Sequence, residues 1–312
     1  MSSVVRKVPG FADIDWSMPW FAPFAVRGRR WQQAALTSEA ALLDAMNADA
    51  QLSRHTVLDG RQLAFVAQSE LPAHTAYEAH IGATGCVPTR HNLHDFFNAL
   101  SWFQFPRMKA AQTARGSAAV GSMGRGPTRG STRDALTLFD ENAVLFATAD
   151  PALSAALRAF DWQRLFVANR DAWGQRCEAR CFGHALLEKL ITPFKACTAH
   201  AWIVDVPPEY FAWPDERRSA WLDDTVSREF STDEPLSSQA FAPLPVLGIP
   251  GWWPENEEPS FYDDVSVFRH GRRTRSSDAR IAPSKASQAV AAFPVSTGKG
   301  EESPDSTGQG DG

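Results

Sequence analysis

Hydrophobic positions recur along most of this chain at the three- and four-residue spacing of amphipathic helices, and few runs have strand spacing. The clearest helical pattern covers residues 92 to about 115 and is interrupted at Pro106. A shorter helix is predicted over residues 38–47, with Ser38 as its N-cap. Further helices are predicted over residues 73–81, from Pro151 onward, over residues 161–191, and over residues 207–230 with a break at Pro214.

Strand patterns are fewer, and the pairing they indicate is local. Residues 62–68 and 199–206 each predict one strand. Residues 135–139 and 144–148 flank the polar turn Asp140-Glu141-Asn142, which indicates a β-hairpin. Many helices beside few strands predict an α+β fold: a helix-rich single globular domain with a small β-sheet that includes the hairpin.

Three segments depart from the globular pattern. Residues 116–131 are rich in glycine and predict a flexible loop within the domain. Residues 241–268 are rich in Pro and Trp and predict an extended strap laid across the domain. Residues 269–312 hold a single aromatic residue, Phe293, and predict a disordered tail. The single globular domain is therefore placed at residues 1–268.

The composition excludes several classes of protein. A chain of 312 residues with 44% hydrophobic residues and 11 Trp is not wholly disordered. A net charge of −5 gives no indication of nucleic-acid binding. The sequence shows no signal peptide and no apolar run long enough for a membrane span. Four cysteines are too few for a secreted disulfide scaffold, so we expect a cytoplasmic protein that does not bind membranes.

The richest polar segment lies on the helix that follows Asn92. A helix beginning there places His94 and Asn98 on one face, with Asp95 beside them. His94 can act as a catalytic base or metal ligand, with Asp95 and Asn98 orienting it or binding the metal. A structural alternative stays open, in which Asn92 caps the helix and Asp95 completes a capping box.

Several basic residues are candidates for substrate binding. Arg107 and Lys109 can offer positive charge to a phosphate or to a developing oxyanion. Arg133 and Asp134 precede a predicted strand and are also candidates for substrate contact. An Arg–Asp pair at a strand edge is more often a structural ion pair, and that alternative stays open as well.

A second polar set contains Cys177, Cys181, His184 and Glu188. Steps of four, three and four residues place them on one face of the predicted helix, where they could hold a transition metal. This spacing is not typical of structural zinc sites, and a buried free cysteine is commonly a small hydrophobe. His184 and Glu188 alone form an i,i+4 pair that is suited to catalytic acid–base work, or that satisfies itself in a core.

Three tryptophans stand among the polar segments. Trp102 lies within the helix that carries His94, and Trp252 and Trp253 lie in the strap. With Asn256 they are candidates for the walls of a substrate-binding pocket. The alternative is that the strap only covers part of the core.

Four of these segments resemble a bacterial family that is named for a domain of unknown function, number 3025. They are residues 87–109, 133–142, 182–194 and 243–268, and together they cover most of the chain from residue 77 to 268. The resemblance implies no established activity. It implies that a site is formed by the polar residues of these motifs, which are His94, Asp95, Asn98, Arg107, Lys109, Arg133, Asp134, Asp140, Glu141, His184, Glu188, Lys189, Asn256, Asp263 and Asp264.

The chain departs from the family pattern at two places. After Lys109 it reads Ala-Ala-Gln-Thr where the pattern has a Leu-Asn pair, and it has Ala199-His200 where the pattern has Gly-Lys. Roles that need those residues are in doubt here. Cys177 and Cys181 lie outside the motifs, which weakens the four-residue metal face.

These observations lead to two functional hypotheses. In the first, the protein is a hydrolase-like enzyme with a polar His/Asp/Asn/Lys cluster that acts on a phosphoester or a carboxylate-containing substrate. Its cofactor is unknown, with a divalent metal as the candidate. In the second, it is a non-catalytic protein that binds a ligand or a protein partner and whose motif charges are structural. Convergence of His94, Asn98, Lys109 and His184 in one cleft would favour the enzyme.

Overall fold

The computed structural model describes residues 8–121, 127–232 and 234–271, and the elements below belong to that part of the chain. The α-helices are α1 (Ala25–Thr37), α2 (Glu39–Ser53), α3 (Tyr77–Thr84), α4 (Leu93–Gln104), α5 (Pro106–Gly121), α6 (Pro127–Asn142), α7 (Pro151–Arg158), α8 (His184–Lys189) and α9 (Asp215–Phe230). The strands are β1 (Ala64–Ala67), β2 (Cys86–Thr89), β3 (Ala143–Thr148), β4 (Cys177–Cys181), β5 (Thr198–Asp205) and β6 (Ala242–Pro245). Helices with two small sheets confirm the predicted α+β fold.

A four-stranded sheet in the order β4-β3-β5-β6 forms the centre of the fold. β3 pairs antiparallel with β4 and parallel with β5, and β5 pairs antiparallel with β6. All six side chains of β3 are buried, so both of its faces are covered, which explains its unbroken apolar sequence. β1 and β2 form a separate parallel pair.

The predicted hairpin is wrong in its first half. Residues 135–139 belong to α6, and their side chains at positions 135, 136 and 139 are buried. These apolar positions fit a helical period as well as a short strand, so the pattern alone did not decide between them. Asp140 and Glu141 therefore lie in the last turn of a helix and not in a hairpin turn.

Residues 161–191 do not form the predicted helix. A π-helical turn (Gln163–Ala168) and a 3₁₀ turn (Arg170–Ala172) lead into β4 and then α8. Gly174 has a φ of +80°, a left-handed conformation that glycine adopts readily, and it turns the chain into β4. Cys177 and Cys181 thus lie on a strand. They share no helix face with His184 and Glu188, which lie on α8, so the predicted four-residue metal face does not form.

The predicted Gly-rich loop at residues 116–131 is largely helical. α5 continues to Gly121 and α6 begins at Pro127, while residues 122–126 lie outside the described part. A Cβ at Gly116 would lie 3.3 Å from Cγ of Glu78, so this glycine lets α5 pack closely against α3. The predicted disordered tail, apart from residues 269–271, also lies outside the described residues.

Several predicted boundaries are confirmed. Ser38 caps α2 and accepts a hydrogen bond of 3.1 Å from the Ala41 N–H. Pro106 separates α4 from α5, and Pro214 immediately precedes α9. The predicted strands at residues 62–68 and 199–206 correspond to β1 and β5. α1, β2 and β6 lie where no element was predicted, and each of these two strands contains proline.

The strap, residues 241–268, forms β6 and a series of short 3₁₀ turns. Its Asn256 is fully buried and donates through Nδ2 to the carbonyl oxygens of Leu247 and Ile249, at 2.8 Å and 2.7 Å. Arg170 donates to Oδ1 of Asn256 at 3.1 Å and to the hydroxyl of Tyr262 at 3.3 Å. The polar groups of the strap therefore hold its own fold together.

Aromatic side chains make up much of the core. The largest fully buried side chains include Trp20, Trp31, Trp102, Tyr210 and Phe146. Of the described helices, none is both long and apolar enough to cross a membrane.

Candidate metal centre and its cleft

Three helices, α4, α6 and α8, meet beside the start of β3. α6 ends where β3 begins, and α8 follows closely after β4. Because β3 and β4 pair antiparallel with Val144 opposite Cys181, the end of α6 lies next to the start of α8. Ser101 of α4 donates a hydrogen bond of 3.0 Å to the carbonyl oxygen of Phe182, which holds α4 at the same place.

Gly183 permits the closest approach of backbone in this region. A Cβ at this position would lie 2.5–2.6 Å from backbone atoms of residues 141–143, closer than real Cβ atoms come. The Gly183 N–H donates to the Ala143 carbonyl oxygen at 2.9 Å. His184, the next residue, is therefore held against the last turn of α6.

The two histidines of this region face one another through their Nε2 atoms. His94 Nε2 and His184 Nε2 are 2.9 Å apart, and the two rings are nearly perpendicular, at 84°. His184 is 4% exposed, whereas His94 is half-buried and lines the cleft described below. The side of the pair at His94 is therefore open to a ligand.

Three carboxylates lie close to this pair of histidines. Glu188 Oε2 lies 3.2 Å from His94 Nδ1, and Asp140 Oδ2 lies 3.7 Å from His184 Nδ1. Glu141 reaches both Nε2 atoms, at 4.0 Å from that of His94 and 3.7 Å from that of His184. Each Nδ1 thus faces a carboxylate, and the two Nε2 atoms converge beside a third.

The contact between the rings suits either a shared proton or a metal ion. The Nδ1–H of His94 faces Glu188 and leaves its Nε2 as a lone-pair atom. If Nδ1 of His184 also carries its proton, two lone pairs lie 2.9 Å apart, and a proton or a metal ion relieves their repulsion. The hydrogen bond to Glu188 raises the pKa of His94, while burial lowers the pKa of His184 to about 4. The proton-bridged state is therefore a protonated His94 that donates to a neutral His184.

The same atoms are a suitable donor set for a divalent transition metal. Within the described part of the chain, the His, Cys, Asp and Glu side chains able to hold one ion together are His94, Glu141 and His184. Their donor atoms all lie within 4.8 Å of one another. Two imidazoles and one carboxylate suit zinc or iron and leave coordination positions open. Glu188 behind His94 matches the carboxylate–histidine–metal pattern that fixes the tautomer of a ligand.

A buried lysine extends this centre into the core. Lys109 is 4% exposed, and its Nζ donates to Asp140 Oδ1 at 2.5 Å and to Asn98 Oδ1 at 2.8 Å. Asn98 in turn donates to the Tyr77 hydroxyl oxygen at 3.1 Å. Burial alone would raise the pKa of Asp140. Electrostatic attraction to Lys109 and His184 lowers this pKa by more, so it lies below its ordinary value.

We call these groups the histidine cluster, which comprises His94, Asn98, Lys109, Asp140, Glu141, His184 and Glu188. With neutral histidines, one lysine and three carboxylates give a formal charge of 1 − 3 = −2. A cluster with excess negative charge attracts a cation.

The histidine cluster opens into a cleft with a cavity of about 470 Å³, a size that accepts a small molecule. The lining residues are Gln68, Leu71, Ala76, Tyr77, Glu78, Arg90, His94, Asp95, Asn98, Gln112, Gly116, Arg133, Leu136, Thr137, Asp140, Glu141 and His184. Arg133 is exposed, and it forms no ion pair within the described part of the chain. Arg133, Thr137 and Glu141 are spaced by one helical turn on α6, so the arginine lies along the same face as the candidate ligand.

Some predicted site residues make local structural contacts instead. Asn92 caps α4 and accepts from the Asp95 N–H at 2.8 Å, as predicted. Asp95 does not complete the predicted capping box, which needs its carboxylate to accept from the Asn92 N–H. The carboxylate accepts instead from the backbone N–H and the guanidinium of Arg90. Arg107 does not line the cleft, and it pairs with Asp224 at 2.5 Å.

Other predicted residues lie apart from the cleft. Trp102 is buried with its ring 5.4 Å from Lys109 Nζ, while Trp252, Trp253 and Asn256 belong to the strap and do not line the cleft. Asp134 is exposed. Burial raises the pKa of the Cys177 thiol to about 12, which opposes the thiolate form that a metal needs.

The family resemblance places Asp140 and Glu141 among the site residues, although the local pattern put them in a hairpin turn. Tyr77 and Glu78 were not considered. Helical spacing is the signal for the first two, since Arg133, Thr137, Asp140 and Glu141 share one face once residues 133–142 are read as a helix.

The fold and the site together define a helix-rich α+β protein with a candidate metal centre at the base of a polar cleft. Residues 63–272 match the family described as proteins of unknown function (DUF3025), and the chain belongs to that family. The matched region contains all three candidate ligands. No curated protein and no solved structure matches the chain.

Proposed function

We propose that this protein is a metal-dependent hydrolase. A divalent ion is held by His94, His184 and Glu141, and Glu188 orients His94. The observation that carries the proposal is the convergence of the two Nε2 atoms, at 2.9 Å, beside Glu141 and at the edge of a cleft. Such an ion would supply Lewis acidity and would lower the pKa of a water molecule bound to it. In the hydrolysis, the hydroxyl of that water would bond to the acyl or phosphoryl group as the bond to the leaving group breaks, and the water's proton would go to the leaving group.

The substrate of this enzyme carries an anionic group, a phosphoester or a carboxylate. Arg133 on the cleft wall is the cation that is available to bind this group. Arg90 also lines the cleft, although it is paired with Asp95 at 2.9 Å. Lys109 holds Asp140 and Asn98 in place and does not contact substrate in this proposal.

Metal content provides the first test. The purified protein is expected to contain close to one equivalent of zinc, iron or manganese by plasma mass spectrometry, and a chelator is expected to lower its melting temperature. His94→Ala is expected to abolish both properties, while His270→Ala, which changes an exposed histidine outside the cleft, preserves them. A wild-type protein that neither retains nor responds to any of these ions contradicts the metal centre and favours the proton-bridged pair.

Turnover provides the second test. Metal-loaded wild type is screened against aryl phosphomonoesters, aryl phosphodiesters, dipeptides and N-acyl amino acids. We expect one class to be hydrolysed, with loss of activity in His94→Ala and a raised KM in Arg133→Ala. Activity that persists in metal-free protein would show that the chemistry is not metal-dependent.

A binding protein without catalysis is the second candidate function. It is favoured by another cavity, of about 510 Å³, which is lined by Trp162, Tyr262 and Phe268 beside the strap. In that case, mutation of the histidine cluster leaves ligand or partner binding unchanged, and Trp162→Ala removes it.

A cytoplasmic location in a bacterium is part of the proposal. It is supported by Cys86, Cys177 and Cys181, which are free thiols, as expected in a reducing compartment. Fractionation of cells that express the native gene tests it.

A further inference from the structure

Two acceptor oxygens in the wall of the cleft have no hydrogen-bond donor within the described part of the chain. They are Oε2 of Glu78 and Oε1 of Gln112, and both are buried. A buried acceptor without a donor costs about 1–3 kcal/mol, so native proteins keep few of them. The described residues therefore supply no donor to either oxygen, and a donor from a bound ligand or from water would satisfy them.

Both side chains belong to the contact between α3 and α5. Glu78 stands in the first turn of α3, and its stem passes over Gly116, where a Cβ would lie only 3.3 Å from Cγ of Glu78. Gln112 precedes Gly116 by one helical turn on α5 and so lies on the same helix face. Ser117 donates to the Glu78 carbonyl oxygen at 2.8 Å and fixes the backbone there.

The two free oxygens are held in their orientations. The Gln112 amide nitrogen donates to the Leu136 carbonyl oxygen at 2.9 Å and also bonds the Asp140 carboxylate. Rotation of this amide would bring its oxygen against two acceptors, so Oε1 stays the free atom. The Glu78 carboxylate accepts a hydrogen bond from Thr113, which leaves Oε2 without a donor.

The charge of Glu78 is also uncompensated. Burial and the nearby Asp140 raise the pKa of Glu78, and Lys109 lowers it by less. The Lys109 ammonium already bonds Asp140 and Asn98. A cationic ligand would therefore restore the charge balance that this part of the cleft lacks.

We propose that Glu78 and Gln112 form a subsite for a primary ammonium group of the substrate. An ammonium group carries three N–H donors and one positive charge, so it satisfies both free oxygens and neutralises the carboxylate. Arg133 on the same cleft wall binds an anionic group, so the cleft fits a zwitterion such as a small peptide. This subsite rests on the proposed function, because it assumes that the cleft holds a substrate. Binding at the subsite needs no metal.

The test measures binding to metal-stripped protein and, in parallel, to His94→Ala. The probes are alaninamide and N-acetylalaninamide at neutral pH, which differ in whether the amino group is charged. Calorimetric titration is expected to show that alaninamide binds roughly 10- to 100-fold more tightly. Because neither protein carries the ion, a failed metal proposal leaves this result unchanged.

Glu78→Gln separates a binding role from a structural one. It is expected to remove the preference for alaninamide and to raise the melting temperature of the free protein, since it takes away an unpaired buried charge. Glu258→Gln, at an exposed position, is expected to change neither property. Equal affinity for the two probes, no measurable binding of alaninamide, or unchanged affinity in Glu78→Gln each overturns the subsite; the last result means that water supplies the donors.

Discussion

Two clusters of charged residues differ in how completely their groups are satisfied. The arginine cluster comprises Glu178, Arg180, Tyr210, Asp215, Arg218 and Ser219. In it, Glu178 accepts hydrogen bonds from Arg180 and Tyr210, both at 2.6 Å, and from Arg218 at 2.5 Å. Arg180 continues to Asp215 at 2.7 Å and to Ser219 at 2.8 Å. Two arginines and two carboxylates give a formal charge of 2 − 2 = 0.

The histidine cluster is incomplete by comparison. Its formal charge is −2, its two Nε2 atoms face each other, and Nδ1 of His184 has no hydrogen bond. The arginine cluster leaves one atom, Nε of Arg218, without a partner. A neutral and nearly closed network stabilises a fold, whereas a charged and open one at a cleft is suited to a ligand.

The largest effect on stability is expected from removing a carboxylate of the arginine cluster. Glu178→Ala leaves Arg180, which is 5% exposed, without its main counter-charge. We expect a loss of about 3–5 kcal/mol in the free energy of unfolding, measured by urea denaturation. Glu216→Ala, at an exposed position on α9, is the control, and metal content is expected to stay unchanged. A loss below about 1 kcal/mol would contradict the view that this network is buried and structural.

Gly183→Ala is expected to damage the histidine cluster through its backbone. The new Cβ displaces α8 from residues 141–143, which costs about 1–3 kcal/mol of stability and separates His184 from Glu141. Urea denaturation and metal content measure the two effects together. Gly10→Ala is the control, because a Cβ there meets nothing closer than 3.9 Å. Full metal content in Gly183→Ala would show that Glu141 is not a ligand.

Glu188→Ala is expected to weaken metal binding without unfolding the protein. Glu188 is partly exposed, so its loss changes stability little, but His94 loses the acceptor that fixes its tautomer. We expect metal affinity to fall by roughly 10- to 100-fold, measured by competition with a chelating dye. Lys189→Ala, the exposed neighbour, serves as the control. An unchanged affinity would remove Glu188 from the centre.

The smallest effect is expected from the pH dependence of the closed cluster. Burial raises the pKa of Asp215, but hydrogen bonding to Arg180 and the charges of Arg180 and Arg218 outweigh this, so its pKa lies below 3.8. The folded protein therefore binds this proton less tightly than the unfolded chain, and the contribution of Asp215 is lost as pH falls through that range. Asp215→Asn is expected to flatten the acid side of the stability curve by less than about 1 kcal/mol, since Asp215 is half exposed. Identical stability curves for wild type and Asp215→Asn would show that the contact of Asp215 with Arg180 gives no net stabilisation.

The sequence predicted well those elements whose signals are local. The cap at Asn92 and the break at Pro106 depend on side chains within a few residues, and both appear in the structure. Residues 135–139 and 161–191 were misassigned because their apolar spacing fits two periods. Residues 135–139 are helical, and part of residues 161–191 pairs with β3 as a strand. β4 forms because β3 offers it a partner across residues 144–148, which no local pattern records.

The candidate site was predictable one residue at a time, but its geometry was not. His94 and His184 were both singled out, yet Glu188 was paired with His184, its neighbour on α8, whereas it contacts His94. Glu141 was named only through the family resemblance, because a hairpin turn would have pointed it to solvent. Glu78 carries no motif at all, and its position depends on direct packing against Gly116, which lies two helices further along the chain.

The wide spacing of the candidate ligands has a consequence for how the protein matures. His94, Glu141 and His184 are 47 and 43 residues apart and join only when three helices have docked on the sheet. An unfolded chain therefore has no preformed centre, and every gain in free energy from metal binding goes to the native state. Cellular metal supply would then set how much of this protein escapes proteolysis, and its abundance would report the availability of the ion.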